Sequence, residues 1–522
     1  MRSFFEWFQG EGVDPNKPWL ILGKGPSFSK RNQFDLTAYS TLSLNHAVRE
    51  LPVTVAHMID YNVVDGCGEA LLANARYVLL PWVPHIDNVP GSETLAELAR
   101  RHQILRRLDE QGRLLYYNLS TARKRNREGP VVRVRYFSAD AAVNLLATAG
   151  VRKVRSLGID GGITYSGEFD DLKDKTLLAN TRDSFDKQFQ EIARSILATG
   201  IDYAPLDIES PVRIYVGATE AQMLAVKVLE YSIRKHASMS VEVYPLHRCE
   251  IEIPMPKDPE SRPRTPFSFQ RFLIPALAGH RGRAIYVDSD MQVFADIRRL
   301  WTLPFDGADL LTVHEPENSG RRPQVSVMIL NCGSLEWRIE DIVEKLDDKR
   351  FTYEQLMYEM ALAKTVRASI SPVWNSLERY DEAETALIHY TDMPTQPWVS
   401  RRNRLGYLWV RDLIEAVDAG FMTISYVREQ VAKGFVRPSL LYQLARRREN
   451  PIDLPVAARL MDRKFLPPYR NVESGGKKLK ECSTAFLDDL ALKYYEKIAV
   501  SILAKKKRKS RSQVIPSTLT AV

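Results

Sequence analysis

Two carboxylates, Asp288 and Asp290, stand one residue apart at the end of an apolar run. The residues before them, 284–287, have the composition of a buried strand. In an extended strand, side chains two positions apart point to the same side, so both carboxylates can approach one cation. Their hard oxygen ligands suit Mg²⁺ or Mn²⁺, which also bind the oxygens of a diphosphate. The spacing therefore predicts a divalent-metal site, although aspartates at strand ends also occur in purely structural turns.

The surrounding elements predict an α/β fold built from two Rossmann-like domains. In the N-terminal part, apolar strands and a helix alternate at 19–22, 139–150 and 151–158. This order is typical of a mostly parallel sheet, whose ligands bind at the carboxyl ends of the strands. A strand and a helix at 212–217 and 220–236 begin a second such unit. The predicted parts are an N-terminal domain at 1–205, a second α/β domain at 211–405, a helical appendage at 406–500 and a disordered tail at 501–522.

The composition is that of a globular protein of 522 residues, with 44% hydrophobic and 26% charged residues. No segment reaches the roughly 20 uninterrupted apolar residues that a membrane-spanning helix needs. Glu6 and Gln9 interrupt the first apolar residues, which is unlike a signal peptide. The four cysteines show no Cys-x-x-Cys pairing, so neither a disulfide framework nor a zinc site is indicated. These features predict a cytoplasmic protein.

A dense basic block lies near the C-terminus, with six lysines and arginines at 505–511 in a chain of net charge +8. Such a block is either a solvated tail or a segment attracted to an anionic surface. No aromatic residue interleaves with these charges, so stacking on bases is unsupported and nucleic acid is not the expected partner. Of the anionic surfaces, the inner face of a membrane is favoured, through peripheral association of this tail.

Further pieces of the second half are arranged in order around the two aspartates. A strand and turn at 214–222 and a segment carrying Arg271 at 269–275 precede the aspartate strand with its continuation at 284–301. A later strand at 327–331 and a His…Pro-Trp segment at 388–398 follow it. Over roughly 212–398 the sequence resembles glycosyltransferase family 8. This GT-A group includes glycogenin and bacterial lipopolysaccharide glycosyltransferases. The resemblance implies a nucleotide-diphospho-sugar transferase fold for this half.

The resemblance also implies a metal site and a reaction. Asp288 and Asp290 would be catalytic and, together with His389, would bind Mn²⁺ (or Mg²⁺). The reaction would be retaining transfer of a hexose from a UDP-linked donor to a glycan or lipid-linked acceptor. The pathway would be the synthesis of a cell-surface polysaccharide or lipopolysaccharide.

Other positions are assigned to the donor by the same resemblance. Thr219 and Glu220 match the turn that contacts uridine, and Arg271 matches the basic residue that approaches the donor. Gln355 is the nearest positional candidate for a polar group facing the sugar. Gln396 stands where the family has a lysine that meets the diphosphate.

The chain departs from the family's pattern at three places. Residues 324–326 replace an Asn-Ala-Gly, and 353–355 replace an Asp-Gln-Asp. Loss of the lysine at Gln396 removes a cation that would stabilise the departing diphosphate. The arginines that follow closely are candidates to replace it: Arg401, Arg402 and Arg404.

In the N-terminal part, polar residues follow three predicted strands. Gly25 and Ser27 lie in a glycine turn, Asn45 follows the next strand, and Asp160 follows a later one. Over roughly 18–199 these pieces resemble bacterial sialyltransferase-like domains and the related MptE-like (motility accessory factor) group. The resemblance implies that the four residues bind a nucleotide phosphate. The equally open alternative is a turn that only reverses the chain.

Three functions follow from these patterns. The leading one is a metal-dependent glycosyltransferase whose partners are a nucleotide-sugar donor and a glycan or lipid-linked acceptor. In the second, the N-terminal domain is the catalyst with a CMP-sugar donor, and the second domain acts alongside it or has decayed. The third is a non-catalytic scaffold that binds a sugar or nucleotide.

Overall fold

The computed structural model describes residues 1–11, 13–122, 124–126, 129–135, 137–176, 178, 182–249, 251–265, 267–315 and 324–468. The described chain is a mixture of helices and largely parallel sheets, so the predicted α/β class is confirmed. It divides into two compact units. The first contains Met1–Val212, Arg234–Glu242 and Asp296–Thr302, and the second contains Arg213–Ile233, Val243–Ala295 and the described part of Leu303–Val522. The domain bounds expected from sequence stay a prediction.

A parallel sheet forms the centre of the first unit. The strands of this part of the chain are β1 Arg2–Ser3, β2 Trp19–Leu22, β3 Ser40–Leu44, β4 Val53–His57, β5 Ala75–Pro81, β6 His85–Ile86, β7 Val89–Pro90, β8 Leu114–Leu119, β9 Val131–Val132, β10 Lys153–Leu157 and β11 Asp202–Pro205. Their order in the sheet is β1-β8-β5-β4-β3-β2-β10-β11, and β9 pairs with β8. The pairs are parallel. Within the described residues of this first unit, β6 and β7 form a separate antiparallel pair.

Helices cover both faces of this sheet. They are α1 Phe4–Gly10, α2 Val63–Cys67, α3 Ala70–Asn74, α4 Leu95–Arg101, α5 Gln103–Glu110, α6 Ser138–Thr148, α7 Lys173–Thr176 and α8 Lys187–Thr199. Alternate residues of β2 belong to different apolar clusters. Ile21 lies in one cluster, whereas Leu20 and Leu22 lie in the other. Because alternate side chains of a strand point to opposite faces, both faces are buried. The carboxyl ends of the strands remain as the edge where polar side chains gather.

The second half contains a mixed sheet and a small accessory sheet. Its strands are β12 Val212–Gly217, β13 Val241–Pro245, β14 Arg283–Asp288, β15 Met291–Val293, β16 Leu310–Val313, β17 Gln324–Asn331, β18 Val366–Ile370, β19 Ser376–Leu377 and β20 Leu387–His389. The larger sheet has the order β13-β12-β14-β17-β16-β18 and the smaller one β15-β20-β19. In the larger sheet β12 and β14 are parallel, whereas β14 and β17 are antiparallel. The smaller sheet lies directly after the aspartate pair.

Nine further helices follow in the described part of the chain. They are α9 Met223–His236, α10 Ile274–Leu277, α11 Arg298–Trp301, α12 Ile339–Asp347, α13 Tyr353–Met357, α14 Gly406–Asp418, α15 Ile424–Ala432, α16 Ser439–Arg446 and α17 Val456–Met461. Beyond residue 405 the described residues form helices and connecting segments, as predicted for the appendage. The basic tail at 501–522 lies outside the described residues. Among the described helices, none is long and apolar enough to cross a membrane.

Candidate metal centre

Three predicted metal ligands converge in the second unit. Each of Asp288, Asp290 and His389 offers a ligand atom, and these atoms lie within 4.8 Å of one another. Asp288 ends β14, while Asp290 stands in the turn before β15 rather than on a strand. His389 is brought there by antiparallel pairing of β20 with β15, where it lies opposite Met291. The amide of Tyr390 donates to the carbonyl of Asp290 at 2.8 Å and so fixes this register.

His389 is oriented as a metal ligand. Its Nδ1 lies 2.9 Å from Oδ1 of Asn375, an acceptor, so Nδ1 carries a proton and donates it. In the neutral ring the lone pair is then on Nε2, which lies 3.2 Å from Oδ1 of Asp290. Burial alone lowers the pKa of His389, but the carboxylates of Asp290 and Asp288 outweigh it and raise the pKa. The same negative field favours a divalent cation.

Asp288 is held from behind by a tyrosine and an arginine. The hydroxyl of Tyr286 donates to Oδ1 of Asp288 at 2.6 Å. Arg271 donates to that hydroxyl at 3.2 Å and to the carbonyl of Val325 at 3.1 Å, and its Nη2 lies 3.8 Å from Asp288 Oδ1. Burial raises the pKa of Asp288, Arg271 opposes that rise, and Asp290 adds to it. Arg271 therefore orients a candidate metal ligand, and its contact with a donor stays a prediction.

Of the two carboxylate oxygens of Asp290, one accepts a hydrogen bond and the other does not. Its Oδ2 accepts a hydrogen bond from Nε2 of Gln396 at 3.0 Å, and the same amide donates to the carbonyl of Tyr390 at 3.0 Å. Its Oδ1 is buried and accepts no hydrogen bond among the described residues; the nearest polar atom given for it is Nε2 of His389, at 3.2 Å. A buried, unsatisfied carboxylate oxygen costs free energy that a bound cation would recover. The donor set of two carboxylates and one imidazole therefore fits a divalent metal ion.

Gln396, which the resemblance assigns to the donor diphosphate, contacts Asp290, and its contact with a donor stays a prediction. It is 3% exposed and its amide nitrogen is directed at Asp290. The nearby arginines Arg401 and Arg402 line a cavity of about 600 Å³ together with Arg459 and Arg463 of the appendage. Whether they or Arg404 replace the missing cation at a diphosphate is untested and stays a prediction.

The remaining residues assigned to the donor are Thr219 and Glu220, in the turn after β12, and Gln355, in the first turn of α13. The amide and hydroxyl of Thr219 donate to Oε1 of Gln222 at 3.0 and 3.2 Å. Glu220 is exposed and pairs with Lys433 at 3.2 Å. Gln355 is exposed as well, and its side-chain oxygen accepts the backbone amide that caps α13. Contacts of these residues with a nucleotide sugar stay predictions.

Sequence reasoning missed a buried polar group beside the centre. Nε2 of Gln292 donates to Oδ2 of Asp412 at 2.5 Å and to the carbonyl of Leu408 at 3.1 Å. Its Oε1 accepts the hydroxyl of Tyr390 at 2.7 Å, next to His389. Gln292 stands two residues after Asp290 in an apolar strand, which is the only signal that marks it. It connects the metal strand to helix α14.

Replacing Gln292 with leucine is expected to lower the free energy of unfolding by about 2–3 kcal/mol, because the buried Asp412 and Tyr390 each lose a partner. Urea denaturation followed by tryptophan fluorescence measures this loss. Adding Asp412→Asn should recover part of it, since a neutral amide costs less to bury than a carboxylate. A Gln292→Leu protein as stable as the unchanged chain would contradict the role of this contact.

Three predicted residues of the first unit also come together. Oδ2 of Asp160 accepts the amide of Ser27 at 2.7 Å, and the hydroxyl of Ser27 accepts the amide of Gly158 at 2.7 Å. A Cβ on Gly25 would lie 2.5 Å from the same Asp160 oxygen. The turn is thus closed by its own side chains, which favours the structural interpretation. Nucleotide binding by Gly25, Ser27 and Asp160 stays a prediction.

Asn45 lies at the same carboxyl edge, because β3 neighbours β2 and β2 neighbours β10. Its φ of 51° is left-handed, a conformation that asparagine tolerates better than most residues. Lys24, which the sequence did not single out, lies with its ammonium 4.2 Å from the ring centroid of Tyr165. Burial lowers the pKa of Lys24 to about 8.

These features define an α/β protein with a candidate divalent-metal centre, and comparisons with known proteins were made on that basis. No model of a known protein family matches the chain. Protein CDI of Arabidopsis thaliana is 31% identical over 144 residues, which are 24% of this chain and 54% of that protein. The chain therefore spans about half the length of this curated relative.

Similar solved structures are glycosyltransferases. The apo structure of the bifunctional glycosyltransferase WbbM is 13% identical over 41% of this chain and 51% of its own, with a TM-score of 0.29. GlyE of Streptococcus pneumoniae TIGR4 is 18% identical over 44% of this chain and 65% of its own, with a TM-score of 0.30. The galactosyltransferase LgtC, in complex with donor and acceptor sugar analogues, is 12% identical over 42% of this chain and 100% of its own, with a TM-score of 0.30. At this level of similarity the substrates of the present chain remain open.

Proposed function

We propose that this chain is a divalent-metal-dependent glycosyltransferase that moves a hexose from a nucleotide sugar to a glycan or lipid-linked acceptor. One observation carries the proposal: the ligand atoms of Asp288, Asp290 and His389 converge within 4.8 Å. Nδ1 of His389 is bound to Asn375, and Nε2 lies 3.2 Å from Oδ1 of Asp290, an oxygen that accepts no hydrogen bond among the described residues. A structural aspartate turn requires neither feature.

The chemistry of the ligands supports Mn²⁺ over Mg²⁺. Carboxylate oxygens suit both ions, whereas an imidazole nitrogen favours a transition metal. When bound, the ion would neutralise charge that develops on a leaving diphosphate. Asp288 and Asp290 supply negative oxygens for it, and His389 supplies a neutral nitrogen. Arg271 and Tyr286 hold the carboxylate of Asp288 in place from the buried side.

The donor and the stereochemistry form the finer part of the proposal. A UDP-hexose and retention of configuration are supported by the resemblance of 212–398 to family 8. Thr219 and Glu220, in the turn after β12, are the proposed nucleotide contacts, and Gln355 is the proposed sugar contact. The proposed setting is the synthesis of a cell-surface polysaccharide or lipopolysaccharide. Peripheral membrane association through the basic segment 505–511 is part of the same proposal.

A donor-hydrolysis screen across UDP-, GDP- and CMP-sugars, with Mn²⁺ present and absent, tests the function. We expect release of UDP that requires Mn²⁺ and is lost in His389→Ala. Turnover of CMP-sugars alone, unaffected by His389→Ala, would instead assign catalysis to the N-terminal domain. Thermal stabilisation by a sugar nucleotide without turnover would indicate a binding scaffold, and a ligand at a hundred times its Kd stabilises by about 2.7 kcal/mol.

A further inference from the structure

Arg437 is a fully buried arginine in the segment that precedes α16, with 0% of its surface exposed. Its Nε donates to the carbonyl of Pro397 at 2.9 Å, and its Nη2 donates to Oε1 of Gln443 at 2.6 Å. Its Nη1 donates to the hydroxyl of Ser439. Within the described residues, no carboxylate lies in ion-pair distance of the guanidinium. Burial lowers the pKa of Arg437 to about 10.

Burying a guanidinium without a carboxylate partner is costly, so its hydrogen bonds must satisfy it. Two of the contacts of Arg437 are made to one short segment that precedes the helical appendage, consisting of Pro397 and Trp398. Besides the bond to Pro397, its backbone amide donates to the carbonyl of Trp398 at 2.8 Å. Arg437 therefore holds two successive carbonyls of this segment, that of Pro397 through its guanidinium and that of Trp398 through its backbone amide. A lysine would keep the backbone bond to Trp398, but its ammonium cannot reproduce the fixed fork with which the guanidinium contacts Pro397, Ser439 and Gln443.

The residue immediately before this segment is Gln396. Its amide donates to Oδ2 of Asp290 and to the carbonyl of Tyr390, each at 3.0 Å. The position of the Gln396 amide depends on the backbone at Pro397, because the two residues share a peptide bond. A continuous path of contacts thus leads from Arg437 through Pro397 and Gln396 to the carboxylate of Asp290.

We propose that Arg437 is a positioning residue for the metal centre: it holds Pro397 and Gln396 so that Asp290 presents Oδ1 to the cation. The inference rests on the metal site proposed above. It makes the helical appendage a component of that site. Partners that orient metal ligands in this way commonly contribute 10–100-fold to metal affinity.

The test is the binding of Mn²⁺ alone to the full chain, with free Mn²⁺ measured by electron paramagnetic resonance. Arg437→Lys and Gln396→Leu are each expected to raise the Kd for Mn²⁺ at least about tenfold. The matched control is Leu440→Ala, on the adjacent helix α16, where the leucine is also 0% exposed. This control should lower the melting temperature but leave the Kd for Mn²⁺ unchanged, because Leu440 is outside the path.

The possible outcomes distinguish failure of the positioning role of Arg437 from failure of the proposed metal site. If Asp290→Ala weakens Mn²⁺ binding but Arg437→Lys does not, the positioning role is wrong. If Arg437→Lys and Leu440→Ala weaken binding in proportion to their loss of stability, Arg437 is merely structural and the inference again fails. If the unchanged chain and Asp290→Ala bind Mn²⁺ equally, the metal site itself is wrong.

A second variant covers the case in which Arg437→Lys does not fold. Gln443→Leu removes one acceptor of the guanidinium and leaves Arg437 and Pro397 in the chain. It is expected to raise the Kd for Mn²⁺ about threefold, less than Gln396→Leu, because two acceptors of Arg437 remain. An unchanged Kd in a folded Gln443→Leu protein, alongside weakened binding in Gln396→Leu, would overturn the role of Arg437.

Discussion

Replacing Asp290 with asparagine is expected to lower Mn²⁺-dependent release of UDP by at least about 100-fold. The amide keeps the size of the side chain and an oxygen that can still accept from Gln396. It removes the negative charge from Oδ1, which accepts no hydrogen bond among the described residues and lies 3.2 Å from Nε2 of His389. The loss therefore falls on cation binding rather than on folding. UDP release is measured over a range of Mn²⁺ concentrations, and the melting temperature is recorded with and without the ion.

The matched control for this substitution is Asp341→Asn, which makes the same chemical change at an exposed position of α12. It should leave both UDP release and Mn²⁺ stabilisation unchanged. Without metal, Asp290→Asn should melt within a few degrees of the unchanged chain, because it relieves repulsion with Asp288 while losing attraction to His389. Undiminished, Mn²⁺-dependent turnover in Asp290→Asn would show that the aspartate pair is not the metal site.

Replacing Gly158 with alanine is expected to destabilise the first unit by about 3 kcal/mol. Gly158 has a φ of +77°, and a Cβ there would overlap the carbonyl of Gly23. A left-handed backbone costs a β-carbon about 1 kcal/mol, and overpacking adds about 1–3 kcal/mol. Hydrogen exchange of peptides from β2 and β10 measures the loss locally, which avoids assuming that a chain with two compact units unfolds in one step.

Gly162→Ala is the control that separates the two costs. Gly162 has a similar φ of +65°, but no heavy atom lies within 4 Å of the position its Cβ would take. It should therefore lose only about 1 kcal/mol, the cost of the backbone conformation. Equal losses in Gly158→Ala and Gly162→Ala would mean that close packing of the two glycine turns is unimportant. A large difference would support a structural role for these glycines.

Local patterns in the sequence were sufficient to predict several strands of the two large sheets. The predicted strand at 212–217 coincides with β12, and the helix predicted at 139–150 corresponds to α6. The candidate ligands came from the resemblance of 212–398 to family 8, because an aspartate pair alone is also common in structural turns. Short apolar strands are recognisable from sequence because burial of both faces requires nearly continuous apolar side chains.

Strand geometry did not by itself predict how Asp288 and Asp290 converge. The argument from alternation placed both on one strand, whereas Asp290 occupies a turn after β14. Their approach to His389 comes from the antiparallel pairing of β15 with β20, which joins segments almost a hundred residues apart. Register between distant strands is decided by packing and not by local pattern.

The sequence by itself determined the α/β class, the predicted pair Asp288 and Asp290, and the candidate His389. Only the tertiary structure decided that Gln396 donates to Asp290 rather than standing free as a substitute for a phosphate-binding lysine. It likewise decided that Arg437 is buried against the Pro397 carbonyl. The physical reason is that periodicity records which side chains avoid water, while the partner of a buried polar group is set by the three-dimensional meeting of distant segments.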